Sequence, residues 1–307
     1  MPLSPLALPI LESSARWVKF KGTPLGAAQG LAPHNAHLPV HFLGSVLDGS
    51  SLADVSMLAF KDPDSFVAGN LHFYYQFWQL ISRSAPCDLA SEVLKWIKEC
   101  VNVYDFFWPF NGQFKGESFD SCIPPTKVFP NNPSCQSFVE FIDSSIASGL
   151  QSGAVSLWGK VGEVQPPHLV MPLTVEPSKP RLCHDNRFLN LWIKDCPFHL
   201  DNLSMIPRYV TSGSFQTVCD DKSEYHHILL SPDSRTFFGF QWGGFYYVSN
   251  AIPFGWKASA YIYHSTGLLA TDYFRSVGIP CLLYIDDRHT GEISFAHSPG
   301  LRRYSFG

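Results

Sequence analysis

The sequence lacks the features that mark membrane, secreted or zinc-binding proteins. The longest aromatic-rich stretch, residues 71–81, is about half the length of a membrane span and contains two glutamines. The N-terminus has no basic segment of the kind that opens a signal peptide. The eight cysteines include no CxxC pair, so neither a zinc ribbon nor a compact disulfide framework is expected. We therefore predict reduced thiols, no membrane association and an intracellular location, in the cytoplasm or nucleus.

Charged residues are also scarce, and the net charge of the chain is not positive. Charged residues make up 16% of the 307 residues, and the formal net charge is -4. Residues 1–150 contain 9 Lys and Arg against 13 Asp and Glu, whereas residues 151–307 contain 13 of each. Nucleic-acid-binding domains are usually basic, so charge alone argues against such a partner. The 45% hydrophobic content, with 25 Phe and 8 Trp, excludes a disordered chain and suffices for a large core.

The first 105 residues carry no pattern that indicates a function. Residues 1–60 are rich in Pro, Gly and Ala and have weak periodicity, which is typical of a loosely ordered arm. Apolar spacing predicts a buried helix over residues 65–83 and an amphipathic helix over residues 88–101, with Asp88 as its cap. We therefore expect region 1–105 to be mostly helical or irregular, with an unknown role.

The middle of the chain predicts a helix followed by strands. Asn132-Pro133-Ser134 is a helix-start signal, and the helix 134–148 is expected to end at Gly149. Residues 154–161 and 168–175 have strand-like composition. The glycines and lysine of 153–160 do not form a phosphate-binding loop, because their spacing is wrong and no Ser or Thr follows.

Tyr284-Ile285-Asp286-Asp287 is the most distinctive stretch, and it follows the apolar run 279–283. Two adjacent carboxylates repel each other, and burial raises that cost. Mg²⁺ removes the cost, because it takes oxygen ligands from carboxylates and phosphates. A solvated turn between two strands fits the four residues at least as well, since Asp is common in turns.

Three upstream segments hold further candidate residues. The segment 179–190 is either a solvated charge cluster or a phosphate-binding site. The segment 218–230 contains Asp220-Asp221 and His226-His227, and alone it fits a strand with a polar bulge. Neighbouring strand residues face opposite sides, so the two histidines are not expected to bind one metal ion. In the segment 250–263, a turn leads into a core helix.

The order of these segments resembles that of a reverse transcriptase of the retrotransposon type. Arg181–Asn190 is similar to the fingers pattern R-x-x-x-D-x-R-x-L-N, and Asp220–Ile228 to the first palm motif, D-x-K-x-x-Y-H-H-I. Ile252–Lys257 resembles the L-P-F-G block, and Tyr284–Asp287 is the Y-x-D-D motif. Four blocks in this order are far more specific than any one of them. Within retroelements, the sequence, and particularly the segment Lys179–Asp185, resembles Pol-like open reading frames of animal genomes, with a DIRS-like element as one possibility.

The resemblance implies an α+β fold made of polymerase fingers and a partial palm, an antiparallel sheet with helices on one face. It places the fingers at 106–215, the partial palm at 216–293 and an unassigned tail at 294–307. The family carries further palm segments and a thumb, which the residues after Asp287 do not resemble. The expectation is therefore a chain truncated after the Y-x-D-D motif with weak or no activity. The alternative is a non-catalytic nucleic-acid- or nucleotide-binding remnant.

The implied reaction is RNA-directed DNA polymerisation on an RNA or DNA template-primer, with deoxynucleoside triphosphates as substrates. In such enzymes two Mg²⁺ or Mn²⁺ ions clamp the attacking and leaving oxygens. By resemblance, Asp220, Asp286 and Asp287 are the catalytic residues. The same three residues would bind the metals, and Asp221 would add its backbone carbonyl.

The resemblance also implies a nucleotide-binding set. Arg181 would hold the triphosphate, and the ring of Tyr225 would exclude a 2′-hydroxyl. Gly255 would let the backbone approach the nucleotide, and Lys257 would neutralise phosphate. Asp185 and Arg187 are expected instead to pair with each other or a neighbour and to support the fingers sheet.

The sequence departs from the family pattern at several positions. Glu224 stands where a small residue is usual, Ile252 replaces Leu, and Ala260 replaces a frequent Pro. Arg288 follows the acidic pair, where an apolar residue is usual.

Overall fold

The computed structural model describes residues 16–19, 67–178, 180–208, 210, 215–220, 223–285 and 287–291. The predicted tail 294–307 therefore lies outside the described residues, as do Asp221 and Asp286. Within these ranges, no helix combines the length and the apolar character that crossing a bilayer requires.

Five α-helices and several short 3-10 helices occur among the described residues. The α-helices are α1 Tyr75–Ile81, α2 Cys87–Glu99, α3 Val139–Ser152, α4 Arg187–Asn190 and α5 Ser259–Ser276. The 3-10 helices are Asn70–Tyr74, Ser82–Ser84, Val103–Phe106, Pro133–Phe138, Leu203–Arg208, Glu224–His227 and Pro232–Phe238.

Thirteen strands are described, and they form four sheets. The strands are β1 Arg16–Lys19, β2 Phe110–Phe114, β3 Glu117–Ser121, β4 Lys127–Val128, β5 Val155–Lys160, β6 Leu169–Val170, β7 Leu173–Glu176, β8 Arg181–His184, β9 Phe215–Asp220, β10 Gly239–Trp242, β11 Phe245–Ser249, β12 Cys281–Tyr284 and β13 Asp287–Gly291. One sheet has the order β1-β9-β13-β12 and another β4-β6-β10-β11-β5, while β2-β3 and β7-β8 are hairpins. Only the pairings of β6 with β4 and β10 are parallel among these described ladders.

The predicted α+β class is confirmed by this arrangement. The four-stranded sheet is antiparallel throughout, and α5 packs against its strand β12. The main core lies under α1, α2 and α5, where its largest buried side chains include aromatic rings such as Trp192 and Phe106. A smaller core joins α3 to β7 and β10. The seven cysteines whose side chains are described form no disulfide bond.

The two N-terminal helices differ from their predictions in detail. Instead of one helix over 65–83, α1 is flanked by two 3-10 turns, and Phe73 is 58% exposed. Helix α2 buries Val93, Trp96 and Ile97 as its apolar spacing predicted. However, Pro86 occupies the N-cap position, so Asp88 lies in the first turn and does not cap the helix.

The predicted helix 134–148 begins correctly but ends late. The side chain of Asn132 accepts a hydrogen bond from the Ser134 N–H, and the first residues form a 3-10 turn before α3. Gly149 does not end the helix, because it is buried inside α3 against the side chain of Val155. Gly153 ends it in the left-handed conformation, with a φ of 78°.

Strand β1 is a finding that the sequence pattern did not predict. Arg16–Lys19 lies in the predicted irregular arm, yet it pairs antiparallel with β9, with Arg16 opposite Val218. The expected helical or irregular character therefore holds for residues 67–105 but not for this strand. A four-residue strand is too short for its alternation to stand out from a Pro- and Gly-rich background.

Candidate active site

The Y-x-D-D stretch forms the tip of a tight β-hairpin. Tyr284 at the end of β12 pairs with Asp287 at the start of β13, and Ile285 follows Tyr284 in a turn. Ile285 has a φ of 57°, which is rare for a β-branched residue. Such strain costs about 1–3 kcal/mol and tends to cluster at functional sites. Because Asp286 lies outside the described residues, only its neighbours are located.

The second acidic segment ends beside this hairpin. Strand β13 pairs antiparallel with β9, and Asp287 is the register partner of Asp220. The side chain of Asp287 is exposed. Two segments far apart in sequence thus bring their acidic residues to the same end of one sheet. Asp221, which was predicted as a metal ligand through its carbonyl, lies outside the described residues.

Helix α5 supports the hairpin from behind. Gly267 faces β12 so closely that an added Cβ would lie 2.8 Å from Leu283 Cδ2. Leu283 is 1% exposed and immediately precedes the Y-x-D-D motif. The close packing of Leu283 against Gly267 restricts movement of the hairpin relative to α5.

The predicted fingers block and the L-P-F-G-like block are joined by two asparagines. Asn190 donates to the Gly255 carbonyl through Nδ2 and accepts the Lys257 N–H at Oδ1, both at 2.8 Å. The Nδ2 of Asn186 donates to the Phe254 carbonyl at 3.3 Å. These contacts hold the backbone of the turn on the segment 181–190, so two of the predicted blocks form one unit.

Tyr225 connects the first acidic segment to that unit. Its ring centroid lies 4.6 Å from that of Phe254 and 5.7 Å from that of Tyr263 in α5. The residue is half-buried and lies in the 3-10 helix Glu224–His227. The assumption of a strand here was therefore wrong, because the chain turns into a helix after β9. His226 and His227 are neighbours in that helix.

The charged residues of the fingers block differ in their pairing. Arg187 donates to both carboxylate oxygens of Asp185, at 2.8 and 2.6 Å, which confirms the predicted ion pair. This hydrogen-bonded pair lowers the pKa of Asp185. Arg181 lies exposed on β8, opposite Glu176.

The side chain of Lys257 already binds two partners in the structure. Its Nζ lies 2.5 Å from Asp195 Oδ1 and donates to the Ile193 carbonyl at 3.1 Å. A role in phosphate binding, as predicted, would therefore require the exposed pair with Asp195 to open.

Burial disfavours the charged form of two histidines near the turn, His184 and His226. Burial lowers the pKa of His184 to about 4, and the neighbouring His226 contributes to this shift. Burial also lowers the pKa of His226. Among the side chains that the structure describes, which exclude those of Asp220, Asp221 and Asp286, no three His, Cys, Asp or Glu residues group as metal ligands.

Sequence reasoning missed a positioning network at the edge of the acidic sheet. Asp201 Oδ2 accepts two hydrogen bonds, from the backbone N–H of Leu283 at 2.9 Å and from Arg275 Nη2 at 2.5 Å, as measured between the heavy atoms. Arg275 also donates from Nε to the Cys281 carbonyl at 3.0 Å. The network thus binds backbone groups on the edge of β12 that does not pair with β13. No short sequence motif indicates this network, because Asp201 lies in a segment without regular periodicity.

Replacing Gly255 by Ala should strongly destabilise the turn. The residue has a φ of 90°, and an added Cβ would lie 2.4 Å from the backbone oxygen of His184. We expect a loss of about 3 kcal/mol or more, since the backbone strain and the clash add. Urea unfolding measures the change. Gly243→Ala is the matched control, because Gly243 has a φ of 55° and no atom within 4 Å of the added Cβ. If Gly243→Ala lowers the free energy of unfolding as much as Gly255→Ala does, the close approach of Gly255 to the His184 carbonyl is contradicted.

Removing the Asp201 carboxylate should weaken the edge strand that carries the acidic hairpin. Asp201→Ala leaves the Leu283 N–H without its acceptor and breaks the pair with Arg275, at an expected cost of about 1–2 kcal/mol. Asp195→Ala is the control, because its carboxylate is 89% exposed and its pair with Lys257 should contribute about 0.5 kcal/mol or less. Equal unfolding free energies for the two variants would show that the network does not support β12.

Comparisons with known proteins add a structural likeness but no sequence match. No protein-family model matches the chain, and no curated protein matches it in sequence. In structure, the chain is similar to the CSH mutant of the prototype foamy virus protease–reverse transcriptase, with 17% identity and a TM-score of 0.43, over 75% of this chain and 31% of that one. The foamy viral enzyme in complex with double-stranded DNA has 16% identity and a TM-score of 0.44, over 75% of this chain and 48% of that one. The dRH form of that enzyme, also with double-stranded DNA, has 15% identity and a TM-score of 0.45, over 79% of this chain and 42% of that one.

The chain spans less than half the length of these viral structures. Likenesses of this size are too low to assign a family. The α+β fold given above therefore rests on the described elements alone.

Proposed function

We propose that this chain carries the nucleotidyltransferase site of a reverse transcriptase, one that adds deoxynucleotides to a primer on an RNA or DNA template. The observation that carries the proposal is the register of β9 with β13, in which Asp220 and Asp287 are directly opposite. Opposite residues of an antiparallel pair face the same side of a sheet, so their carboxylates would converge. Asp286, which precedes Asp287 in the sequence, would complete a set of three.

The donor set suits a hard divalent cation. Mg²⁺ and Mn²⁺ prefer oxygen ligands, and a carboxylate set assembled from two strands supplies only oxygens. Asp220, Asp286 and Asp287 would hold two such ions, with the Asp221 carbonyl as a further ligand. When bound, the ions would stabilise the charge on the attacking and leaving oxygens. The carboxylates would otherwise repel one another, which favours a site that is completed by cations.

The neighbouring unit would bind the incoming nucleotide. The turn at Gly255 is held by Asn186 and Asn190, so it offers a fixed backbone surface with an exposed glycine. Tyr225 packs on Phe254 of this turn, which would place its ring beside the sugar. Arg181 is exposed, and its planar guanidinium suits phosphate recognition.

Template binding is expected to be weak and sensitive to salt. Residues 151–307, which contain all the predicted site residues, have equal numbers of basic and acidic residues. Affinity for a nucleic-acid backbone comes mainly from Lys and Arg contacts to phosphates, and it falls steeply with salt concentration.

The test has a binding arm and a catalytic arm. Calorimetry with and without Mg²⁺ measures deoxynucleoside triphosphate binding, and a primer-extension assay on RNA and DNA templates at low salt measures incorporation. We expect metal-dependent binding and the addition of at least one templated nucleotide. Binding without incorporation would identify the non-catalytic alternative, and the absence of both would overturn the proposal.

A further inference from the structure

Arg288 is a buried cation placed directly after the acidic pair. It is 2% exposed, and its neighbours across the sheet are Cys219 in β9 and Leu283 in β12. Its Nη2 lies 3.4 Å from the Gly267 carbonyl in α5, while Nε and Nη1 have no hydrogen-bond partner. Among the side chains that the structure describes, no carboxylate forms an ion pair with this guanidinium.

The surrounding packing accommodates this side chain. At Gly267, an added Cβ would lie 2.8 Å from Leu283 Cδ2 but at an ordinary contact distance, 3.5 Å, from Arg288 Nη2, so Leu283 and not the guanidinium limits the space at this position. The absence of a side chain at this point of α5 leaves room behind β13. A buried charge without a partner is among the costliest arrangements in a protein interior. A compensating negative potential is therefore needed nearby.

The acidic residues of the proposed metal site stand at adjacent strand positions and are a nearby source of that potential. Asp287 precedes Arg288 in β13, and Asp220 adjoins Cys219, the register partner of Arg288. Successive residues of a strand face opposite sides, so Asp287 and Arg288 do not form a direct ion pair. Their charges still interact through the sheet, because the interior on the Arg288 side screens charge poorly.

We propose that Arg288 is an internal counterion for the acidic cluster. It offsets the mutual repulsion of the carboxylates when no divalent ion is bound, and it weakens divalent-ion binding by the same interaction. This inference rests on the proposed function, since it takes the carboxylates of Asp220, Asp286 and Asp287 as the metal ligands. It explains why a charged residue can occupy a buried position beside them.

The first measurement is Mn²⁺ affinity by calorimetry on the full 307-residue chain. Arg288→Met removes the charge and keeps an apolar side chain of similar length, so we expect at least tenfold tighter Mn²⁺ binding. Arg288→Lys keeps the charge and should bind Mn²⁺ with nearly the parent affinity. Arg235→Met is the matched control, because that arginine is half-buried and donates to the Leu230 carbonyl. If Arg288→Met does not fold, Arg288→Gln carries the same expectation.

The second measurement is the thermal stability of the metal-free protein. Asp287→Asn removes part of the negative potential, so Arg288→Met should lower Tm more in the parent than in the Asp287→Asn background. Parent-like Mn²⁺ affinity in the neutral variants, together with additive Tm shifts, would overturn the counterion role. If neither parent nor variants bind Mn²⁺, the proposed function fails, and the Tm comparison alone decides the role of Arg288.

Discussion

Asp220→Asn, Asp286→Asn and Asp287→Asn are each expected to lower metal-dependent nucleotide incorporation by at least about a thousandfold. The two metal ions of such a site contribute several kcal/mol of transition-state stabilisation, and each 1.36 kcal/mol corresponds to about tenfold in rate. Asn keeps the size of the side chain but removes the anionic oxygen. Because Asp220 and Asp287 are register partners, the loss of either should disrupt the same site.

The same variants should remain folded. Removing one of several neighbouring carboxylates relieves repulsion but also weakens the attraction to the buried Arg288, so the metal-free variants should unfold at a free energy close to that of the parent. Asp233→Asn is the control, because Asp233 is an exposed acid in the 3-10 helix Pro232–Phe238, outside the acidic sheet. This substitution should leave incorporation unchanged. Calorimetric titration of each protein variant with Mg²⁺ and a deoxynucleoside triphosphate measures the expected loss of affinity directly. Affinities equal to the parent in all three variants would place the metal site elsewhere.

Local patterns in the sequence predicted those elements that depend on nearby residues. The apolar spacing of α2 predicted its buried face, and an apolar run before two acids predicted the β12 hairpin. The ion pair of Asp185 with Arg187 needs only two residues of separation, and it formed as expected. In each case the interacting groups lie within one turn or one hairpin, where composition is informative.

Features that depend on distant partners were not predictable in the same way. Strand β1 exists because β9 offers it an edge, and its four residues carry no distinctive alternation. Asp201 matters because it reaches the backbone of Leu283, which is 82 positions away. The 3-10 helix around Tyr225 replaces the expected strand, because the ring packs onto Phe254 and Tyr263. Tertiary packing of this kind overrides local preference.

The packing of Tyr225 leads to the second large expected effect, a change in sugar selection. Tyr225→Ala should narrow the preference for deoxynucleotides over ribonucleotides by about tenfold or more, because the ring that would clash with a 2′-hydroxyl is gone. The half-buried ring contacts Phe254 in the turn that would hold the nucleotide. Its removal should also loosen that turn and lower incorporation of both nucleotide types.

The ratio of the two incorporation rates separates these effects, because a loosened turn affects both nucleotides alike. Single-nucleotide incorporation with dNTP and rNTP is measured for the parent, Tyr225→Ala and Tyr225→Phe. The Phe variant keeps the ring, so it should retain the parent ratio even if the lost hydroxyl alters its stability. Tyr261→Ala is a second control, since that ring packs on Trp96 in α2 and its hydroxyl donates to Glu92. A parent-like ratio in Tyr225→Ala would remove Tyr225 from sugar selection, and a narrowed ratio in Tyr225→Phe would shift the role from the ring to its hydroxyl.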